Sequence, residues 1–243
     1  MHSDIKSIEL GKRSAAAKAI EYVTNGMTLG LGTGSTASYF VDLLAEKISR
    51  EGLQVLCVPT SKKTLDQAVS LKIPLTSLEK VGTIDLVVDG ADEFDHDLNM
   101  IKGGGGALLQ EKIVATASKR MVVITDSSKE SVSLGTFDLP VEIVKFGANS
   151  TKNFVKKTLE NIGYKDAVIR YRKNKNNENF VTDEGHLIID LVLKKIKDPD
   201  LLQGELIKCV GVVETGLFIG MAHKIIVGNS DGSLKLITDS NNL

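Results

Sequence analysis

The sequence predicts an α/β protein: a Rossmann-like parallel sheet with helices on both faces, plus a smaller inserted ferredoxin-like α+β domain. Three observations predict it. Strand, loop and helix signals alternate from the N-terminus to about Thr125, the order changes to βαββαβ after about Ser133, and the C-terminal tail returns to strand signals. The 243 residues, 42% hydrophobic and 25% charged, suffice for one large domain with a smaller companion. The expected division gives 1–133 and 210–243 to the sheet domain and 134–209 to the inserted one.

In chain order, Ile5, Ile8, Ala16, Ala19 and Val23 recur at a spacing of about 3.6 residues, the stripe of an amphipathic helix, and Lys12 falls on that stripe. Met27–Gly32 reads as a short buried strand, Thr33–Thr36 as a tight loop, and Ala37–Ile48 as a helix with Phe40, Val41, Leu44 and Ile48 on its apolar face. The pattern repeats with Leu53–Val58, a Thr60-Ser61 cap and a helix towards Leu71. It repeats again with Ile84–Val88, a glycine-rich connection, a helix over Ala107–Ser118 and a strand at Met121–Thr125. Continuous apolar strands alternating with helices indicate βαβ units. The inserted domain is expected as strand Val141–Val144, helix Ser150–Ile162, strands Ala167–Tyr171 and His186–Leu193, helix Asp198–Leu206 and strand Cys209–Val213. The polar run Arg172–Asn179 reads as a solvated hairpin tip, since no aromatics interleave its charges. Gly216–Ile219, Lys224–Val227 and Leu234–Ile237 are expected as strands returning to the large sheet.

Thirty basic against thirty-one acidic residues leave no global field that would collect nucleic acid or an anionic membrane. Cys57 and Cys209 lie in apolar runs and are too few for a disulfide framework, so both are expected as buried, reduced thiols of a cytoplasmic protein. Neither an export signal nor a membrane span is expected.

Gly30-Leu31-Gly32-Thr33-Gly34-Ser35-Thr36 sits where a strand ends and a helix begins, the place where backbone N–H groups and the helix dipole gather an anion. A dinucleotide fingerprint would need glycine at Ser35 and an acid after the next strand, where Pro59-Thr60-Ser61 stands; a Walker loop would need a lysine followed by Ser or Thr. What remains is a small phosphate site using Ser35, Thr36 and backbone amides, against the alternative that the glycines only permit a tight turn. Asp89-Gly90-Ala91-Asp92-Glu93 follows a buried strand, so its carboxylates emerge at the carboxyl edge of the sheet. Beyond it come Lys102, Gly103-Gly104-Gly105-Gly106 and a helix carrying Glu111. Four successive glycines would cost roughly 0.5–1 kcal/mol each in regular structure, so something approaches that backbone closely. A carboxylate base, carboxylates for hydroxyl protons, and a lysine with amides for an oxyanion suit proton transfer beside a carbonyl. Asp89, Asp92, Asp95 and Asp97 also offer a hard-metal reading, without EF-hand order. His186 and His223 read as structural, and His2 and His96 lie in polar stretches.

The segments GLGTGSTA (Gly30 to Ala37), DGADE (Asp89 to Glu93), IKGGGGAL (Ile101 to Leu108), EKI (Glu111 to Ile113), VTDEG (Val181 to Gly185) and GVVETGLF (Gly211 to Phe218) together resemble the type A ribose-5-phosphate isomerase family. The resemblance runs in order over nearly the whole chain. It implies interconversion of D-ribose 5-phosphate and D-ribulose 5-phosphate in the non-oxidative pentose phosphate pathway, without metal or organic cofactor, by a homodimer or homotetramer. It further implies Glu111 as the general base working through a cis-enediolate, with Asp89 and Asp92 assisting ring opening and the hydroxyl protons. Lys102 and the amides of Gly103, Gly104 and Gly105 would stabilise the oxyanion. Thr33, Gly34, Ser35 and Thr36, with Gly90 and Ala91, would bind substrate and phosphate, helped by Lys12 and Lys129. The chain departs from the family pattern at Gln110, at Val210 and in the longer Arg172–Asn179 hairpin. A non-catalytic phosphosugar sensor is the rival reading, although only about 25 residues precede the phosphate loop, short for a helix-turn-helix module. Aminosugar-phosphate deaminases and acyl-CoA transferases have related sheets but not the DGADE and KGGGGAL pair.

Overall fold

The computed structural model describes residues 2–238, with side chains from Ser7 onward, so the expected roles of His2 and Ile5 lie outside the described side chains. In chain order the elements are α1 (His2–Ile20), β1 (Thr28–Leu31), α2 (Ser35–Glu51), β2 (Leu56–Pro59), α3 (Lys62–Ser70), α4 (Leu78–Val81), β3 (Leu86–Asp89), β4 (Glu93–Phe94), β5 (Met100–Ile101), α5 (Leu108–Thr116) and β6 (Met121–Asp126). After a single 3₁₀ turn at Ser127–Lys129 come β7 (Leu139–Ile143), α6 (Ala148–Asn161), β8 (Val168–Tyr171), β9 (Leu187–Val192), α7 (Pro199–Ile207), β10 (Val212–Thr215), β11 (Leu217–Phe218), β12 (Lys224–Gly228) and β13 (Leu234–Thr238).

Packing divides the chain into two units. The larger holds the chain up to Ala91, Gln110–Glu130 and the segment from Gly220 onward; the smaller holds Asp92–Leu109 and Ser131–Ile219. The expected boundaries differ from this: the segment 92–109 packs with the smaller unit, and the return to the larger one falls after Ile219.

In the larger unit the described strands form one sheet in the order β13-β12-β6-β3-β1-β2. Its neighbours run parallel except for the edge pair β12–β13. Leu29 and Leu31 of β1 face a core with Ala15, Ala16 and Ala19 of α1 and Phe40, Val41 and Leu44 of α2. Gly30, between them in a period-two strand, faces the other way, where an added Cβ would lie 2.7 Å from Val114 of α5. Helices therefore cover both faces. Chain order reverses at β1, which pairs with β2 on one side and β3 on the other, and the carboxyl ends of β1 and β3 meet there. Ligands of open α/β sheets bind at such a switch point. α1 reaches the carboxyl end of β12, because Gly11 and Gly228 touch backbone to backbone and a Cβ on Gly228 would lie 1.9 Å from the Gly11 carbonyl oxygen.

In the smaller unit, the antiparallel order β10-β7-β9-β8 is what a ferredoxin-like βαββαβ chain gives. α6 packs Val155 and Leu159, and α7 packs Leu202 and Leu206, against Val141, Ile189 and Leu191. A second small sheet, β11-β5-β4, was not expected. The expectation that Gly216–Ile219 joins the large sheet is corrected, since Leu217 pairs with Ile101; two-residue strands carry no periodicity to read. Lys173 and Asn179 close the exposed hairpin as expected, but Arg172 does not belong to the solvated tip, because its side chain is largely buried. Cys57 and Cys209 are buried free thiols, and burial pushes the Cys57 thiol up to about 12.

Two glycines make opposite predictions. Gly228→Ala should force the Gly11 contact apart and cost about 1–3 kcal/mol. Gly204→Ala, in α7 with open space around an added Cβ, should gain about 0.5–1 kcal/mol. Urea unfolding midpoints check both, and equal midpoints for the two variants would overturn the packing argument.

Candidate active site

The carboxyl edge of the larger sheet is built around Asp89, which is fully buried at the end of β3. Its Oδ1 accepts the Thr33 N–H at 2.9 Å and the Gly90 N–H at 2.7 Å. Gly32 must be glycine here, for a Cβ would lie 2.2 Å from that oxygen. The Thr33 hydroxyl turns into a network with Thr60 (2.8 Å), Ser61 (2.7 Å) and Thr64 (3.1 Å), and Ser61 caps α3 by accepting the Thr64 N–H at 3.1 Å. Thr33 thus shapes the loop with both its donors. Gly34, at φ 125°, leads into α2 without capping it by a side chain. The first amides of α2, from the exposed Ser35 and the buried Thr36, therefore form a positive helix end with no side-chain acceptor from the cap residue.

Glu111 lies in the first turn of α5 and is 3% exposed. Val114, one turn later, touches the Gly30 position, so Glu111 stands about 4.5 Å nearer the carboxyl edge of the sheet. Lys129 ends the 3₁₀ turn that follows β6 at the same edge, a turn held by Asp126 accepting the Ser128 N–H at 3.0 Å. Lys12 follows Gly11 at the end of β12 and pairs with Glu9 at 2.8 Å; Glu9 also accepts from the Tyr39 hydroxyl. These two hydrogen bonds, Lys12 first, hold the Glu9 carboxyl below its ordinary range.

The chain passes to the smaller unit between Ala91 and Asp92 and returns between Leu109 and Gln110. In the smaller unit Asp92 Oδ2 accepts the Gly104 N–H at 2.6 Å, and the Asp92 backbone N–H donates to Ile101 at 2.9 Å. Lys102 is 2% exposed; its Nζ lies 5.4 Å from the centroid of the Phe218 ring and its N–H donates to Gly216 at 2.8 Å. Gly103 and Gly106 take φ of 97° and 83°, and a Cβ on Gly106 would strike Phe180 at 2.4 Å. Gly104 and Gly105 are exposed. Asp95, read as a candidate metal ligand, accepts the Asp97 and Asn99 N–H groups at 3.0 and 2.9 Å, which is turn chemistry.

Sequence reasoning missed two features. Arg172, whose Nη1 donates to the carbonyls of Gly103 and Gly104, was hidden at the head of a charge run, where nothing local tells a buried arginine from a solvated one. Glu142 of β7, fully buried, accepts from Thr182 and lies against His186 Nδ1, both at 2.9 Å, so His186 is indeed tied into the fold. His223 likewise accepts the Met121 N–H at 3.2 Å. Burial, the largest cause, pushes the Glu142 carboxyl above its ordinary range against the pull of Thr182 and His186. The folded chain then holds that proton more tightly than the unfolded one. Its contribution is complete below the unfolded pKa of about 4.3 and fades as pH rises through the folded value. The stability of the wild type relative to Glu142→Gln should therefore fall between acid and neutral pH; a difference that stays constant or grows would overturn this.

The family described as ribose 5-phosphate isomerase A (phosphoriboisomerase A) matches residues 56–232. The chain is 48% identical over 238 residues to a protein named ribose-5-phosphate isomerase A from Dinoroseobacter shibae, covering 97% of this chain and 90% of the relative. Ribose 5-phosphate isomerase from Plasmodium falciparum superposes with a TM-score of 0.89 at 36% identity, over 95% of this chain and 98% of that one. A D-ribose-5-phosphate isomerase in complex with phospho-erythronic acid gives a TM-score of 0.88 at 34% identity, over 96% and 99%.

Proposed function

The chain belongs to the ribose 5-phosphate isomerase A family, and from that membership we infer that it interconverts D-ribose 5-phosphate and D-ribulose 5-phosphate. It is an aldose–ketose isomerase, an activity placed in the non-oxidative pentose phosphate pathway. The observation that supports the site reading best lies within the larger unit. At one sheet edge stand a helix N-terminus without a side-chain cap, the buried Asp89 that orders the loop before it, and the buried Glu111 in the first turn of α5.

In this reading the 5-phosphate sits on the amides of Gly34, Ser35 and Thr36, with Lys12 and Lys129 as cations; Lys12 would exchange Glu9 for the phosphate. Glu111 takes the proton from C2 of the open-chain aldose and returns it to C1 of the cis-enediolate. Asp89 and Asp92 pass the hydroxyl protons and assist ring opening, beside the backbone of Gly90 and Ala91. Negative charge developing on the carbonyl oxygen is met by Lys102 and by amides of the Gly103–Gly105 loop. Of these, the Gly104 N–H is engaged by Asp92, so the exposed Gly105 amide is the better-placed donor.

Glu111→Gln should retain saturable binding of ribose 5-phosphate yet lose kcat by about two to four orders of magnitude, the range of a lost general base. Ketose formation with EDTA present, beside calorimetric binding, measures both. Wild-type turnover in the variant would remove Glu111 from the role, and binding without turnover in the wild type would favour the sensor.

A homodimer or homotetramer in the cytoplasm is part of the same proposal. It is supported by the buried free thiols and by large apolar side chains standing in water on the smaller unit, Phe146 at 93% and Val210 at 81% exposure. Light scattering should give two or four times the chain mass; a monomer at micromolar concentration would overturn it.

A further inference from the structure

The polar segment that begins at Arg172 is only partly a solvent-facing hairpin. The Arg172 backbone is fixed on both sides, its N–H donating to Ile188 and its carbonyl accepting from Phe180, both at 2.9 Å. The side chain, 14% exposed, meets Asp190 of β9, itself 18% exposed. Nε donates to Asp190 Oδ2 at 3.0 Å and Nη2 donates to Oδ1, the two-pronged pairing that a guanidinium makes with a carboxylate. The remaining arm, Nη1, donates to the carbonyl of Gly103 at 2.5 Å and to that of Gly104 at 3.2 Å.

In a planar trans peptide, a carbonyl and the N–H that follows it point in opposite directions. Arg172 holds the Gly103 carbonyl, so the Gly104 N–H of the same peptide is aimed away from the guanidinium, and its acceptor is Asp92 Oδ2 at 2.6 Å. The result is a four-membered line, Asp190 carboxylate, Arg172 guanidinium, Gly103–Gly104 peptide and Asp92 carboxylate, all inside the smaller unit. A cation on the carbonyl oxygen polarises the peptide and strengthens the hydrogen bond its N–H makes to an anion. Gly104 permits the approach, because a Cβ there would lie 2.6 Å from Asp92 Oδ1.

We propose that Arg172, oriented by Asp190, is a positioning residue that acts on Asp92 through the Gly103–Gly104 peptide. The inference rests on the reading that Asp92 handles substrate protons. Arg172 needs no contact with substrate: its hold on the Gly103 carbonyl fixes the peptide whose N–H meets the Asp92 carboxylate, and its hold on the Gly104 carbonyl fixes the next peptide, which carries the Gly105 N–H. Lysine keeps the charge but has no fork to grip Asp190 and two carbonyls together.

The test is a mutant cycle on the full chain with Asp92→Asn, Arg172→Lys, Arg172→Met and the double variant Asp92→Asn/Arg172→Met. Arg172→Lys is expected to lower kcat about tenfold to a hundredfold, the scale of a small misplacement of a reacting group. KM should stay within about threefold, with Arg172→Met worse than Arg172→Lys. The double variant is expected to be no slower than Asp92→Asn within about threefold, since both changes break one line. Losses that multiply in the double variant would overturn the proposal, as would wild-type kcat in Arg172→Lys. Hydrogen exchange at the Gly104 amide, without substrate, reads the line independently of activity. It should accelerate at least about tenfold in Arg172→Lys while amides of β7 and β9 keep their rates. Unchanged exchange at Gly104 overturns the positioning role, and faster exchange throughout the smaller unit overturns it in favour of a merely structural one. Wild-type kcat in Asp92→Asn would instead overturn the site reading of Asp92, while faster exchange in Arg172→Lys would still show the grip on the loop.

Discussion

A fully buried carboxylate at the end of the strand beside the switch point is the constraint from which the larger unit's working edge follows. Removing a carboxylate from water costs several kcal/mol unless donors replace the solvent. Asp89 finds two of them in the backbone, at Thr33 and Gly90. The approach is so close that Gly32 admits no side chain, and it locks the loop that opens α2. The Thr33 hydroxyl then ties that loop to Thr60, Ser61 and Thr64, so the connections after β1, β2 and β3 are fastened to one another. A helix N-terminus held open in this way suits a phosphate because its amides are pre-aimed and cost little to reorganise.

The smaller unit repeats the device. There, too, an aspartate accepts a backbone N–H of a glycine-rich loop: Asp92 holds Gly104 as Asp89 holds Thr33. The glycines of Gly103–Gly106 serve different contacts. Two take positive φ, one admits Asp92 and one admits Phe180. The entropic cost of ordering them is offset by the hydrogen bonds that hold the backbone, from Arg172 to the carbonyls and from an amide to Asp92. An isomerase that moves a proton between adjacent carbons gains from such rigidity, since its donors must already face the oxygen on which charge develops.

Much of this was legible along the chain. Thr60-Ser61 announced the cap of α3, and Ser61 makes it. The stripe of Phe40, Val41 and Leu44 announced the buried face of α2, and the βαββαβ order announced the ferredoxin-like sheet. These signals are local, set by helical or strand period within a dozen residues. The three-stranded sheet of β4, β5 and β11 was not legible, because its strands are two residues long and one partner lies more than a hundred positions away.

The sequence by itself determined the α/β class, the order of the longer elements and the candidate residues for chemistry, because periodicity, caps and glycine-rich turns are written in neighbouring positions. Only tertiary structure decided what those residues hold. It turned the Thr33 hydroxyl inward, paired Lys12 with Glu9, buried Lys102 above Phe218 and drew Arg172 out of a polar hairpin onto the glycine loop. Each of these depends on which distant strand or loop arrives within hydrogen-bonding reach, and a charge run looks the same whether its first arginine meets water or a carbonyl.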